Sequence, residues 1–169
     1  MKKLILILLL CNSLFAQKQS FIHFSDKEYF TISTHIDPFA SYKEKGLDIV
    51  GEIEYVGFIY AKMGFESFGA LTGGYFDIHG AAGLNLNLGL FDQTRLYAGA
   101  RMAKVDRNGA FRINYGLEAG IQQRLGEHYF IGLRTTLDKR YDQEIFRWKP
   151  ENKLSGFITF GYRWDYKRR

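Results

Sequence analysis

From about residue 29 to residue 164 the chain alternates. In eight stretches of roughly ten residues, apolar side chains take every second position, and polar or small residues fill the gaps. A period of two sends successive side chains to opposite faces of a pleated strand, and no helical period competes with it here. The expected strands are 29–36, 47–55, 58–68, 75–88, 94–105, 111–124, 129–138 and 154–164. The second shows the pattern plainly: Leu47, Ile49, Ile53 and Tyr55 share one face, and Asp48, Glu52 and Glu54 share the other. The alternation keeps phase through Val56 and Gly57, so the second and third stretches could be read as one long bent strand. That would leave an odd count, which closed bacterial barrels avoid, and a turn is therefore expected there.

The connections alternate as well: short ones after the second, fourth and sixth strands, longer ones after the first and above all in 139–153. Short turns at one end and long loops at the other suit an all-β, closed, up-and-down antiparallel barrel of eight strands. No repeat, linker or second domain interrupts it. The division expected is a signal peptide over 1–16, a periplasmic lead-in over 17–28, the barrel over 29–164 and a short basic tail over 165–169. Lys2 and Lys3, the apolar run Leu4 to Leu10 and the small Ala16 form the export pattern. Cys11 follows Leu10, where a lipobox has a small residue, which argues against a lipidated cysteine. Cys11 is also the single Cys of the chain, so no disulfide scaffold is available. The net charge of +5 falls to +3 once Lys2 and Lys3 are removed, too little to suggest nucleic acid.

Which face points inward decides the compartment. Eight strands carry about 35–40 apolar side chains on one face, and an eight-stranded barrel has an interior only just wide enough for side chains to fill. The apolar face is therefore expected outward against lipid, and the polar face in the lumen. Glycine placement agrees: Gly64, Gly83, Gly99, Gly116, Gly120, Gly132 and Gly161 fall on the polar face, where they make room in a narrow lumen. Charges on that face segregate, with Asp48, Glu52, Glu54, Glu66 and Asp77 on strands two to four and Arg95, Arg101, Arg112, Arg134 and Arg163 on strands five to eight. Opposed across a lumen they would neutralise one another, and the arginine fork suits buried carboxylates. The lumen network expected is Glu52, Glu54, Lys62, Glu66, Arg95, Arg101, Glu118, Arg134 and Arg163. Aromatic belts are expected from Tyr29, Phe30, Tyr55, Phe58, Tyr129, Tyr162 and Trp164 at one rim and Phe65, Phe68, Tyr75, Phe76 and Phe111 at the other.

The leader, the alternating strands and the terminal Phe160-Gly161-Tyr162-Arg163-Trp164 together resemble small outer-membrane β-barrel proteins of the OmpA/OmpX-like kind. The Ser13–Gln17 junction, SLFAQ, is similar to signal peptides of Bacteroidetes-type bacteria. The resemblance implies secretion through the inner membrane, insertion by the barrel-assembly machinery and residence in the outer membrane of a Gram-negative bacterium.

Chemistry-bearing motifs are few. HExxH, P-loop, GxSxG, GxGxxG and EF-hand patterns are all missing, and His23, His35, His79 and His128 form no ligand spacing, so no catalytic, metal or cofactor residue is assigned. His79 beside Asp77 is the best single proton-transfer candidate, though a satisfied lumen histidine is the more ordinary reading. Thr34, His35, Asp37, Ser41 and Ser67 near one rim would be the raw material for an outer-leaflet lipid A-modifying enzyme. Arg140, Phe146, Arg147, Trp148 and Lys149 in the long loop could hold lipopolysaccharide phosphates or an extracellular partner. The plainer reading folds that loop over the rim with Trp148 as its plug. Three functions follow: a plugged, salt-bridged outer-membrane barrel with a structural or interaction role and no general pore, the lipid-modifying enzyme, or a secreted lipocalin-like ligand-binding barrel. Partners expected for the first are outer-membrane lipid including lipopolysaccharide, the assembly machinery and an unknown extracellular partner, with no nucleic acid.

Overall fold

The computed structural model describes residues 22–24, 27–43, 45–68, 74–89, 93–107 and 109–165. The expected signal peptide lies outside these residues, as does all of the expected tail except Asp165. Among the described residues there are nine strands, one short α-helix and one 3-10 helix. Eight strands form the barrel: β2 (Tyr29–Ile36), β3 (Asp48–Val56), β4 (Ile59–Phe68), β5 (Phe76–Leu88), β6 (Thr94–Arg107), β7 (Ala110–Leu125), β8 (Tyr129–Arg140) and β9 (Glu151–Asp165). Each pairs antiparallel with the next, and β2 pairs with β9 from Tyr29↔Asp165 to Ile36↔Ile158, closing the wall. The expected turn at Val56 and Gly57 is present, with β3 ending at Val56 and β4 starting at Ile59.

The ninth strand, β1 (Ile22–Phe24), falls within the lead-in, where the alternation predicts no strand. Three residues are too few to display a period. It pairs with Leu86, Asn87 and Leu88 of β5, alongside the stretch that β4 is too short to cover. Two ends can now be distinguished. The base holds the start of β2, the end of β9 and the turns after β3, β5 and β7. The loop end holds α1 (Pro38–Lys43) and the 3-10 helix Tyr141–Phe146.

Burial follows the pleat. On β3 the side chains of Asp48, Val50, Glu52, Glu54 and Val56 are buried, and Ile53 between them is half exposed at 51%. On β8 the inward row is Phe130, Gly132, Arg134 and Thr136, while Leu133 outside is 60% exposed. Polar and charged groups make up most of the interior, joined by apolar ones such as Val50, Val105 and Phe157, while Ile78, Leu117, Leu154 and Phe160 cover the outside. A mainly polar interior of this kind does not suit the apolar ligand of a lipocalin-like barrel. Aromatics gather at the base, where Trp164 stacks near Phe30 (6.0 Å) and Tyr162 (6.4 Å), and Tyr162 meets Tyr129 (5.5 Å). Tyr29, Phe68 and Tyr75 do not join the belts expected for them. Their positions in the pleat turn them inward, and Tyr75 donates its hydroxyl to Glu66 at 2.9 Å.

Candidate functional site: the ion-paired lumen

The lumen is built in tiers. Nearest the base, Arg95 forks onto both oxygens of Glu54 (2.7 and 2.9 Å), and its guanidinium also donates to Gln122 at 3.0 Å. Thr31 donates to the same carboxylate. A two-pronged contact of this kind fixes orientation as well as charge.

The middle tier is a hub on Glu52. Its carboxylate receives Arg134, Lys62 (3.1 Å), His79 Nε2 (2.8 Å) and His35 Nε2 (2.9 Å). Lys62 and Arg134 also reach Glu118, at 2.9 and 3.3 Å. Tyr60 donates to the other oxygen of Glu118 at 2.7 Å. His35 continues to Thr159 through Nδ1 (2.8 Å), and His79 to Asp77 through Nδ1 (2.8 Å). The third tier centres on Arg101, which meets Glu66 (3.0 Å), Asp77 (3.2 Å) and Asp138 (2.9 Å). Above it Asp142 of the 3-10 helix is fully buried and held by Arg140 (2.7 and 2.8 Å), Arg107 (2.6 Å) and Asn114 (2.8 Å). Burial alone would raise the Asp142 carboxyl. The hydrogen bonds and charge of Arg140, with Asn114 and Arg107, outweigh it and hold that carboxyl below the usual carboxylate range.

The inward glycines explain how long side chains cross from strand to strand. Gly64 lies between Glu52 on β3 and His79 on β5 in the register. A Cβ there would meet Glu52 Cγ at 2.6 Å and His79 Nε2 at 3.0 Å, blocking the contact between them. Gly116 lies in the same way between Arg101 and Asp138. Gly83 and Gly99 lie side by side between Tyr60 and Glu118, and the Tyr60 ring bridges both to make its hydrogen bond. Each of these gaps permits an ion pair or hydrogen bond two or three strands wide.

Eight of the nine lumen residues named from the sequence sit in these tiers. Arg163 does not: it pairs with Asp165 at the base (2.6 Å) and covers the Tyr29 ring at 3.7 Å, because the nearer acid lies on its own strand. Arg112 is also outside the tiers, exposed near the loop end and bonded to the Phe111 carbonyl. Arg140, expected among the outer-loop contacts, is buried at the lumen mouth because β8 runs two residues further than the alternation predicts. Phe146 and Trp148 are adjacent (5.5 Å) and exposed, and Arg147 and Lys149 are exposed beside them. Trp148 is 64% exposed and plugs nothing. His35, His79, Asp77 and Asp138 belong to the tiers although the network expected from the sequence does not include them. Their alternation puts them on the polar face, but their partners depend on register.

Glu66, Asp77 and His79 offer donor atoms within 4.8 Å of one another. Arg101 already lies against both carboxylates, and His79 is shared between Asp77 and Glu52, so a protein cation fills the place a metal would take. The residues that could have formed a lipid-modifying site do not converge. Thr34 faces outward, while His35 is bonded inside to Ser33 and Thr159. Ser41 donates to the Asp37 carbonyl (2.6 Å) and accepts from the Asp48 amide (3.0 Å). Two cavities among the described lumen residues are small, about 10 Å3 around Arg101 and about 20 Å3 near Arg95, each the room of roughly one water.

No protein-family model matches the chain. No curated relative matches it either. Solved structures do. The N-terminal β-barrel domain of Pseudomonas aeruginosa OprF superposes with a TM-score of 0.53 at 10% identity, covering 83% of this chain and 98% of that one. A de novo designed transmembrane β-barrel gives 0.52 at 12% identity, covering 82% and 96%. At such identity the likeness is one of fold, and the fold of this chain is that of the small eight-stranded outer-membrane β-barrels.

Proposed function

We propose that the protein is an integral outer-membrane barrel whose lumen is closed by its own ion pairs, and that its role is structural or interactive rather than that of a general pore. One observation carries this reading: charge and apolarity are inverted with respect to a soluble protein, with paired charges inside and aliphatic side chains over the outside. An exposed apolar surface of that extent requires lipid around it. The base then faces the periplasm and the loop end the exterior. The tiers of Arg95, Arg134 and Arg101 succeed one another along the axis, so a permeating ion would have to part several buried pairs in turn. The exposed Phe146, Arg147, Trp148 and Lys149 remain the surface offered to an outer partner.

Planar-bilayer recording tests the closed lumen. Protein whose gel mobility shifts on boiling, and which is therefore folded, should give no steady conductance above the bare membrane. Reproducible single-channel steps that vanish on denaturation would overturn it. Recovery from cells in the aqueous supernatant rather than the outer-membrane fraction would overturn the membrane reading itself.

A further inference from the structure

Outward positions on the eight barrel strands are aliphatic, aromatic, small or neutral polar almost throughout. Among the described residues three of them carry a charge: Lys104 and Asp106 on β6, and Lys139 on β8. All three stand at the loop end, within one three-strand sector, and the outward rows of the other six strands hold no charge. Lysines that merely reach from a barrel wall toward the water would be spread around it. Confinement to one sector calls for a partner seated at that sector.

The register places the two lysines on either side of β7. Lys104 is opposite Ile113, and Lys139 is opposite Tyr115. Two strand spacings and a two-residue offset put their backbones about 12 Å apart, so both long side chains can close on one group. The Lys104 ammonium lies 4.2 Å from the centre of the Phe111 ring, and that of Lys139 lies 5.3 Å from the Tyr141 ring, which meets Tyr115 edge-on at 6.4 Å. Both lysines are exposed, and among the described residues neither has a carboxylate within ion-pair distance. Asp106 stands two residues nearer the loop tip and accepts the Gly109 amide at 3.1 Å.

Directly toward the base the same outward rows continue as Met102, Leu117 and Leu137, all exposed. A molecule seated against the two cations therefore also lies along the apolar band, which selects an amphiphile with an anionic head and an apolar tail. Aromatic rings beside lysines at that level mark the boundary between headgroups and hydrocarbon. We propose that Lys104 and Lys139 hold the phosphorylated headgroup of an outer-leaflet lipid across β7. The ammonium groups meet the phosphates, and the acyl chains descend over Leu117 and Leu137. The proposal rests on the outer-membrane reading given above.

Native mass spectrometry of the folded, detergent-solubilised protein tests it, with lipid A, dephosphorylated lipid A and inorganic phosphate as probes. A one-to-one lipid A adduct is expected, roughly tenfold weaker in Lys104→Gln or Lys139→Gln, as loss of one charge-assisted contact implies. The double Gln variant should bind no better than the unaltered protein binds dephosphorylated lipid A, and the double Arg variant should keep the adduct. Lys43→Gln removes an exposed cation at the loop end outside this sector and should bind as the unaltered protein does. An equal loss in Lys43→Gln would reduce the effect to net charge and overturn the proposal. So would undiminished binding in the double Gln variant, equal retention of dephosphorylated lipid A, or equal affinity for inorganic phosphate. Heat-modifiable gel mobility, read on the same samples, keeps the two readings apart. Normal mobility with no adduct refutes the lipid site and leaves the membrane barrel standing.

Discussion

The two faces of the barrel wall share the same eight strands yet obey different rules. Outside, neighbours are interchangeable: Leu133 lies between Ile121 and Ile158, and any similar aliphatic group would serve against lipid. Inside, the charged positions of the tiers have particular partners at hydrogen-bond distance, as Glu52 has Lys62, His79 and His35. The outer face asks only for apolarity, while the inner face asks for specific pairing. Substitutions should separate the two.

The largest effect is expected at the hub. Arg134→Ala leaves Glu52 and Glu118 buried beside Lys62 alone among the full-time cations, and breaking a buried pair in this way costs about 3–5 kcal/mol. Urea unfolding in lipid vesicles would show the loss. An unchanged midpoint would mean that the tiers contribute little. Next comes the opposite error, a charge placed outside: Leu133→Arg should cost about 2–4 kcal/mol in the same assay if Leu133 faces the bilayer interior.

Glycines sharpen the contrast within one residue type. Gly64→Val drives a side chain between Glu52 and His79 and should cost about 1–3 kcal/mol, as overpacking does. Gly80→Val, on the outer face with its nearest neighbour atom 3.6 Å from the added Cβ, should change stability by no more than about 0.5 kcal/mol. Equal effects would erase the distinction between faces.

The smallest expected effect concerns pH at the lumen mouth. Because the folded Asp142 carboxyl lies below its usual value, its contribution is complete above that value and is lost only as pH falls through the lower, folded one. The hydrogen-exchange protection factor of the 3-10 helix, corrected for the intrinsic pH dependence of exchange, should therefore stay constant from neutrality down to about pH 4 and fall only in stronger acid. A fall beginning near pH 6 would point to a histidine instead.

The faces of the strands are legible in the amino-acid sequence. A period of two assigns each residue of a strand to a face, so Glu118 and Arg134 read as inward and Leu117 and Leu133 as outward without knowledge of their neighbours. Partners are not legible in the same way, because pairing depends on register. His79 reaches Glu52 only because Gly64 stands between them, which follows from the register Val56↔Tyr60 set by the turn between β3 and β4. Arg163 shows the same limit in reverse: its polar face is legible, but its partner is Asp165 on its own strand rather than an acid across the lumen. Arg140 departs from expectation for a local reason, since the polar run after Asp138 reads as loop while the backbone stays paired as far as Arg140↔Glu151. Capping of overhangs, as by β1, depends on strand stagger, for which a single chain carries no periodic signal.

Orientation of the two faces is tested most directly by nitroxide labels at Leu117, Leu133 and Ile158 in protein reconstituted into phospholipid vesicles. All three should relax with oxygen dissolved in the hydrocarbon and ignore a water-borne nickel chelate. Relaxation by the chelate at these positions would place them against water and contradict the inverted barrel.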